Sequence, residues 1–311
     1  MSATPGIVKA SAAGSIRRTI KLGISIAYFV LRSGWDGLRR LLGKRPDATG
    51  VVLYYHSVPH LYRSQFEEQM RLVAKHARPV ALTDLSNLPA GGHSVAITFD
   101  DALESVAENA VPVLLQLNIS ATIFAVTDVL GTTPEWGKWY YSPDERVMSA
   151  EQLRGLPELI RIGSHSLTHP DLAVVSAEVA AQEIIHSREK LEALLHRPVT
   201  LFGFPYGSFN ASTLRLCRDA GYARVFTTDP TLVPKDASEF VVGRVAVDPW
   251  DWRLEFRLKM LGAYSWLPRA GAAKLKLKQM ISPKRPNFEA SECSEPRDEA
   301  DRLRAHPTAR P

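Results

Sequence analysis

Cysteine is almost missing from this sequence: among 311 residues only Cys217 and Cys293 are cysteine. One lies inside a helical pattern and the other in a polar tail, which excludes a disulfide framework and a cysteine-based zinc site. Acidic residues are scarce at the start. Up to Arg45 the single acid is Asp36, against Lys9, Arg17, Arg18, Lys21, Arg32, Arg39, Arg40, Lys44 and Arg45. A long apolar run is lacking as well. Leu22 to Leu31 is the apolar centre of this basic stretch, and it falls short of the about 20 residues a crossing helix needs. Residues 1–48 therefore read as a basic amphipathic helix on an anionic lipid surface. A signal or anchor helix and a solvated basic extension are the alternatives. The expected location is the membrane surface with its side undetermined, and because Arg32-Ser-Gly-Trp-Asp36 offers no small-residue cleavage site the cytoplasmic face is favoured. Nucleic acid is excluded as a partner because the basic residues are interleaved with a long aliphatic block. No obligate protein partner is evident.

What is present is a strand and helix alternation from Val51 onward. Val51–His56, Val80–Leu82, a strand entering Asp100, Ala121–Val126, Ile160–Gly163, Val199–Phe202, Ala223–Thr227 and Val241–Val247 read as strands. Helices fall at Ser64–Lys75, Glu104–Leu117, Ser149–Leu156, Ser176–Leu195 and Ser212–Ala220, and Ser149 with Gln152 fits a capping box. The spacing predicts an α/β fold, a barrel of about seven mainly parallel strands over residues 49–252. Residues 253–280 read as a basic and apolar helical extension, and residues 281–311 as a disordered tail.

Three short motifs sit at predicted strand ends, where ligands collect in such folds. The first is Thr98-Phe-Asp-Asp101, an apolar strand halting at two carboxylates. By itself, one of them could simply cap the helix that follows. The second is His165-Ser-Leu-Thr-His169, placed in a loop because Pro170 pushes His169 out of the helical region. Together with Asp101, the two imidazoles supply a donor set for a divalent transition metal that leaves positions open for water or substrate. Zinc is expected, with cobalt, nickel or iron as alternatives. The third is Phe202-Gly-Phe-Pro-Tyr-Gly207, a tight turn after a strand.

In this order the motifs resemble the polysaccharide deacetylase family, the NodB-homology domain of carbohydrate esterase family 4. The resemblance spans Val51 to Val247 and includes Tyr54-Tyr55-His56 on the opening strand. It implies a distorted (β/α) barrel, a metal held by Asp101, His165 and His169, Asp100 as general base and a Tyr206 backbone N–H in an oxyanion hole. His56, Phe204, Pro205 and Tyr206 are the expected substrate contacts. The expected reaction is metal-dependent removal of N-acetyl groups from an amino sugar in a polysaccharide or lipid-linked saccharide. Alternatives are deformylation of a lipid-linked amino sugar and a catalytically silent saccharide-binding barrel; an iron oxygenase fits less well because it leaves Asp100 no task.

The chain departs from the family pattern in places. Ala102 stands where glycine is common, which implies ordinary backbone angles there. Gly203 stands where arginine is common, so the cation that would steady Asp100 is missing. After His196 the only histidine is His306, so the usual acid is missing too, and Asp100 is expected to return its proton to the amine. Asp248-Pro-Trp-Asp-Trp252 matches a further family motif and is read as coincidental, because it follows the last strand.

Overall fold

The computed structural model describes residues 12–273 apart from 45–46, 90, 137–143, 235 and 237. Along the chain run α1 (Ala12–Leu41), β1 (Thr49–Tyr55), α2 (Arg63–His76), β2 (Arg78–Pro79), β3 (His93–Phe99) and a π-helical turn, Val106–Ala110, leading into α3 (Val111–Gln116). Then follow β4 (Ala121–Ala125), α4 (Ala150–Arg154), β5 (Ile160–Ser164), α5 (Ala177–Leu195), β6 (Leu201–Gly203), α6 (Ala211–Asp219), β7 (Arg224–Thr227), β8 (Val241–Gly243), β9 (Val245–Ala246) and α7 (Arg253–Met260).

Every strand pairing is parallel. The order is β8-β7-β6-β5-β4-β3-β1-β9, with β2 attached to β3. The segment 241–247, expected as one strand, divides at Arg244. β8 pairs with β7 while β9 pairs with β1, so residues on either side of Arg244 belong to opposite edges of the sheet. That division turns the sheet into a nearly closed barrel, with eight strands in the closing order and β2 beside it, against the about seven expected.

Alternation along the strands sorts side chains into two layers. Val51, Leu53, Tyr55, Val95, Ile97 and Phe99 face outward and pack with Phe66, Met70, Leu114 and Ile184 of the helices. Val52, Ala96, Phe124, Leu201, Phe226 and Val242 face inward and fill the barrel. Both faces of the sheet are thus covered, which is why its strands read as unbroken apolar runs.

The helices follow the expected capping logic, with local departures. Ser149 and Gln152 form the reciprocal capping box of α4, at 2.6 Å and 3.2 Å. The expected Glu104–Leu117 helix widens over Val106–Ala110, next to Pro112, whose ring crowds the carbonyl one turn back and whose nitrogen has no hydrogen to donate. In place of a strand at 80–82, the chain makes a 3₁₀ turn over Leu82–Asn87 that sends Leu82 and Leu85 into the inner layer. The tail from Ile281 on, and the end of the 253–280 extension, lie outside the described residues.

The inner layer leaves no slack beneath the histidine loop. A Cβ on Gly163 would stand 2.6 Å from two ring carbons of Phe124 and 3.0 Å from the Leu201 carbonyl oxygen, and Phe124 is fully buried and cannot swing away. Gly163→Ala is expected to destabilise the fold by about 1–3 kcal/mol, read as a lowered midpoint in denaturant; an unchanged midpoint would show that the layer is looser than its geometry.

Candidate metal centre and active site

The inward parity of β3 runs Ala96, Thr98, Asp100, so the first carboxylate enters the barrel interior instead of capping a helix. Arg244 meets it there. The guanidinium grips Asp100 with Nη1 on Oδ1 at 2.6 Å and Nη2 on Oδ2 at 2.8 Å, and both side chains are buried. Its Nε donates to the Thr227 carbonyl, and Nη1 also reaches Thr98 Oγ1. The guanidinium carbon lies 4.7 Å from the centre of the Tyr54 ring and 5.2 Å from that of Phe124. Burial alone would raise the Asp100 pKa; the Arg244 charge and its hydrogen bonds, with His165 and His56 adding to them, outweigh burial and hold it at about 2.

This corrects the expectation of a missing cation. Arginine comes from the β8–β9 junction instead of position 203. Position 203 could not easily hold a side chain: a Cβ there would lie 3.1 Å from His165 Nδ1 and from Phe124. A sequence signal for Arg244 did exist. It is a lone charge inside Val241-Val-Gly-Arg-Val-Ala-Val247, on the inward parity of Val242, and a buried charge calls for a partner.

The second carboxylate goes elsewhere. Asp101 and Ala102 both adopt left-handed backbone angles, φ 68° and 55°, which reverses the chain immediately after the strand. Ala102 was expected to take ordinary angles. It is held otherwise because its carbonyl accepts from Met148 N and the following Glu104 N donates to Arg146 O, clamping the turn against residues 146–148. The reversal carries the buried Asp101 to His165 Nε2 at 3.7 Å and His169 Nε2 at 3.4 Å. One ligand atom from each of the three residues lies within 4.8 Å of the others.

Their chemistry fits a metal ion. His165 Nδ1 donates to the Gly203 carbonyl at 2.7 Å, which leaves the Nε2 lone pair facing the centre. Burial, with His165 beside it, lowers His169 to about 4 despite the opposing pull of Asp101 and Asp100, so its imidazole is neutral, as a ligand must be. Its ring stacks on Trp136, 4.4 Å between centres at 7°. The loop is fixed from below by Glu183 of α5, a buried carboxylate that accepts from Leu167 N, Thr168 N and Thr168 Oγ1 at 2.8, 2.9 and 2.6 Å. Glu183 was not singled out from the sequence. Its signal was an acid between Ala180 and Ile184, on the buried face of the helix.

The remaining expected contacts separate into two groups. Tyr206 is exposed, has φ 58°, and presents its ring edge-on to His169 at 4.7 Å. The turn beneath it requires Gly207, because a Cβ there would stand 2.1 Å from Thr228 Oγ1. Phe204 and Pro205, expected to touch substrate, are buried instead. Phe204 packs on Phe202 and Phe209, so this pair seats the turn and does not line the opening.

His56, at the end of β1, is partly exposed, and its charge acts on Asp100, His169 and Asp248. Asp248, in the segment read as coincidental, is thus within electrostatic reach of His56. Asp248 is fixed there by Gln69 Nε2 on its carbonyl at 2.9 Å and by Asp251 Oδ2 on its own N–H at 3.1 Å. Burial raises its carboxyl, with Lys259 and His56 opposing.

Comparison with known proteins agrees with this geometry. The polysaccharide deacetylase family model matches residues 87–225. Bacillus subtilis YxkH, which carries a polysaccharide deacetylase name, is 24% identical over 210 residues, 64% of this chain and 71% of that protein. The poly-beta-1,6-N-acetyl-D-glucosamine N-deacetylase of Staphylococcus epidermidis is 27% identical over 165 residues, and the match spans 50% of this chain and about half, 54%, of that enzyme. Among solved structures, IcaB from Ammonifex degensii superposes with a TM-score of 0.59 at 24% identity, covering 70% of this chain and 98% of that one. Residues 87–225 thus match the polysaccharide deacetylase family model, and the barrel built around them is similar to polysaccharide deacetylases in sequence and in fold.

Proposed function

We propose that this chain removes N-acetyl groups from an amino sugar in a polysaccharide or lipid-linked saccharide, with a divalent cation held by Asp101, His165 and His169. The observation that carries this reading is the division of two adjacent carboxylates. One is gathered with two imidazoles, and the other is kept apart and ionised by Arg244. A cation bound there would polarise the acetyl carbonyl and lower the pKa of a water toward about 7.

The side chains divide the remaining work. Asp100 takes the proton of the attacking water as its oxygen bonds to the acetyl carbon. The Tyr206 N–H, on the exposed left-handed turn, donates to the oxygen that gains negative charge. The carbon–nitrogen bond then breaks, acetate forms, and the departing amine needs a proton. In this reading His56, with the Asp248 carboxyl in electrostatic reach, supplies it, or Asp100 returns the proton it accepted. The silent-barrel alternative rested on a missing cation and a missing acid; Arg244 supplies a cation to Asp100 and His56 is a candidate for the acid, which supports the enzyme reading. Deformylation of a lipid-linked amino sugar uses the same groups, and a comparison of acetate with formate release separates the two.

The two carboxylates should fail differently. Asp101→Asn is expected to lose bound metal by elemental analysis, whereas Asp100→Asn keeps its metal and loses about 10²–10⁴-fold in turnover; equal metal loss in both would end the assignment. Arg244→Lys keeps a charge but not the two-pronged grip. Because the arginine holds the Asp100 pKa down, its loss lets burial raise it. The acid limb of kcat/KM should then move to higher pH with metal content unchanged, and an unmoved limb would separate Arg244 from the base. His56→Gln should depress kcat and remove the basic limb of the profile. A retained basic limb would assign the amine's proton to Asp100 alone.

A further inference from the structure

α1 is apolar on two sides, and only one of them is used by the barrel. On the inner side Leu22 and Phe29 pack with Leu258, Ala263 and Tyr264. Trp266 Nε1 donates to Ser25 Oγ at 3.0 Å, and Arg18 Nε donates to Glu255 Oε2 at 2.7 Å. Successive residues turn by about 100°, so Ile16, Ile20, Val30, Leu31 and Leu41 fall within roughly one third of the circumference opposite Arg18 and Phe29. Their exposure is 61, 56, 61, 75 and 86%. This is a continuous outward stripe on a helix of 30 residues, and soluble surfaces rarely leave such a stripe uncovered.

We infer that this outward stripe of α1 is a docking face for an anionic bilayer surface. Charge selects the occupant. Arg17 and Lys21 are exposed along one side of the stripe and Lys44 is exposed just past the end of α1, while Asp36, the one acid of the helix, is turned partly inward. Basic residues beside an apolar stripe suit lipid headgroups and acyl chains together. A second copy of the chain would bring the same basic residues against each other. No helix among the described residues is long and apolar enough to cross a membrane, which leaves a helix lying in the surface plane.

The inner contacts then orient the barrel. Arg18 pairs with Asp251 and Glu255 and, with His56, acts electrostatically on the neighbouring Asp248. At the far end Arg32 and Asp36 line a cleft with Thr49 and His93, the first residues of β1 and β3. α1 therefore runs the length of the barrel, from the rim of the site to its opposite end. A bilayer against the outward stripe lies alongside the barrel, so the site opens along the surface, where a lipid-linked or surface-lying saccharide is presented. That last step rests on the deacetylase reading; lipid binding does not.

The test is flotation of the full chain with vesicles of phosphatidylcholine alone and of phosphatidylcholine mixed with phosphatidylglycerol. The variant is the double substitution Ile20→Asp and Leu31→Asp, both at exposed positions. The wild type is expected to float with the mixed vesicles and the variant to lose about tenfold or more in partitioning. Acetate release from soluble N-acetylglucosamine oligomers should be the same in both. A wild type left in the soluble fraction, or a variant that floats equally well, overturns the proposal. A lipid-free dimer that the variant dissociates would assign the stripe to a second copy, and overturns it too. Flotation that depends on the stripe, with no acetate released by either protein, would keep the docking face and remove the deacetylase reading.

Discussion

The ion pair between Asp100 and Arg244 is the constraint around which the barrel is arranged. Each charge removed from water costs several kcal/mol unless its partner and its hydrogen bonds are in place. Here the carboxylate receives both prongs of the guanidinium, and the guanidinium spends its other hydrogens on Thr227 O and Thr98 Oγ1. Those acceptors lie on β7 and β3, and Arg244 itself sits where β8 gives way to β9. The pair therefore ties together strands from both sides of the sheet's closure. An apolar residue at 244 would fill the space but leave Asp100 a buried charge with no counterion.

That constraint explains how neighbouring acids acquire different tasks. Asp100 follows the pleat of β3 into the interior, where arginine keeps it charged. Left-handed angles at Asp101 and Ala102 end the pleat and carry the second carboxylate to the two imidazoles. Alanine pays a steric penalty for such angles that glycine would not. The turn survives because residues 146–148 supply backbone partners for it. Left-handed backbone recurs at Ser166, His169 and Tyr206, each on a loop that faces the same centre, so strain is concentrated where side chains must converge.

Much of this was legible in the sequence, for physical reasons. Strands covered on both faces write themselves as apolar runs, and the caps at Ser149 and Ser176 mark helix starts directly. Asp101, His165 and His169 stood out because a metal needs those donors. Arg244 and Glu183 did not, since each acts across the barrel on a partner far away in the chain. What a sequence can show of them is only a charge on a buried parity. The acid was sought late in the chain because motif order was taken as a guide. The proposed acid, His56, comes instead from the end of the first strand, and β1 is the neighbour of both β3 and β9.

The same freedom accounts for glycine at position 203. Asp100 needs a cation at its own height inside the barrel, and any strand whose inward residue reaches that height can deliver it. With arginine arriving from the β8–β9 junction, β6 need not carry a side chain there, and the bare backbone can press against the histidine loop. The Gly203 carbonyl then accepts from His165 Nδ1 at 2.7 Å and fixes which imidazole nitrogen looks toward Asp101. An arginine at 203 would serve Asp100 only by intruding on His165 and Phe124. The position of the arginine and the orientation of the histidine are thus one packing solution, reached through different strands.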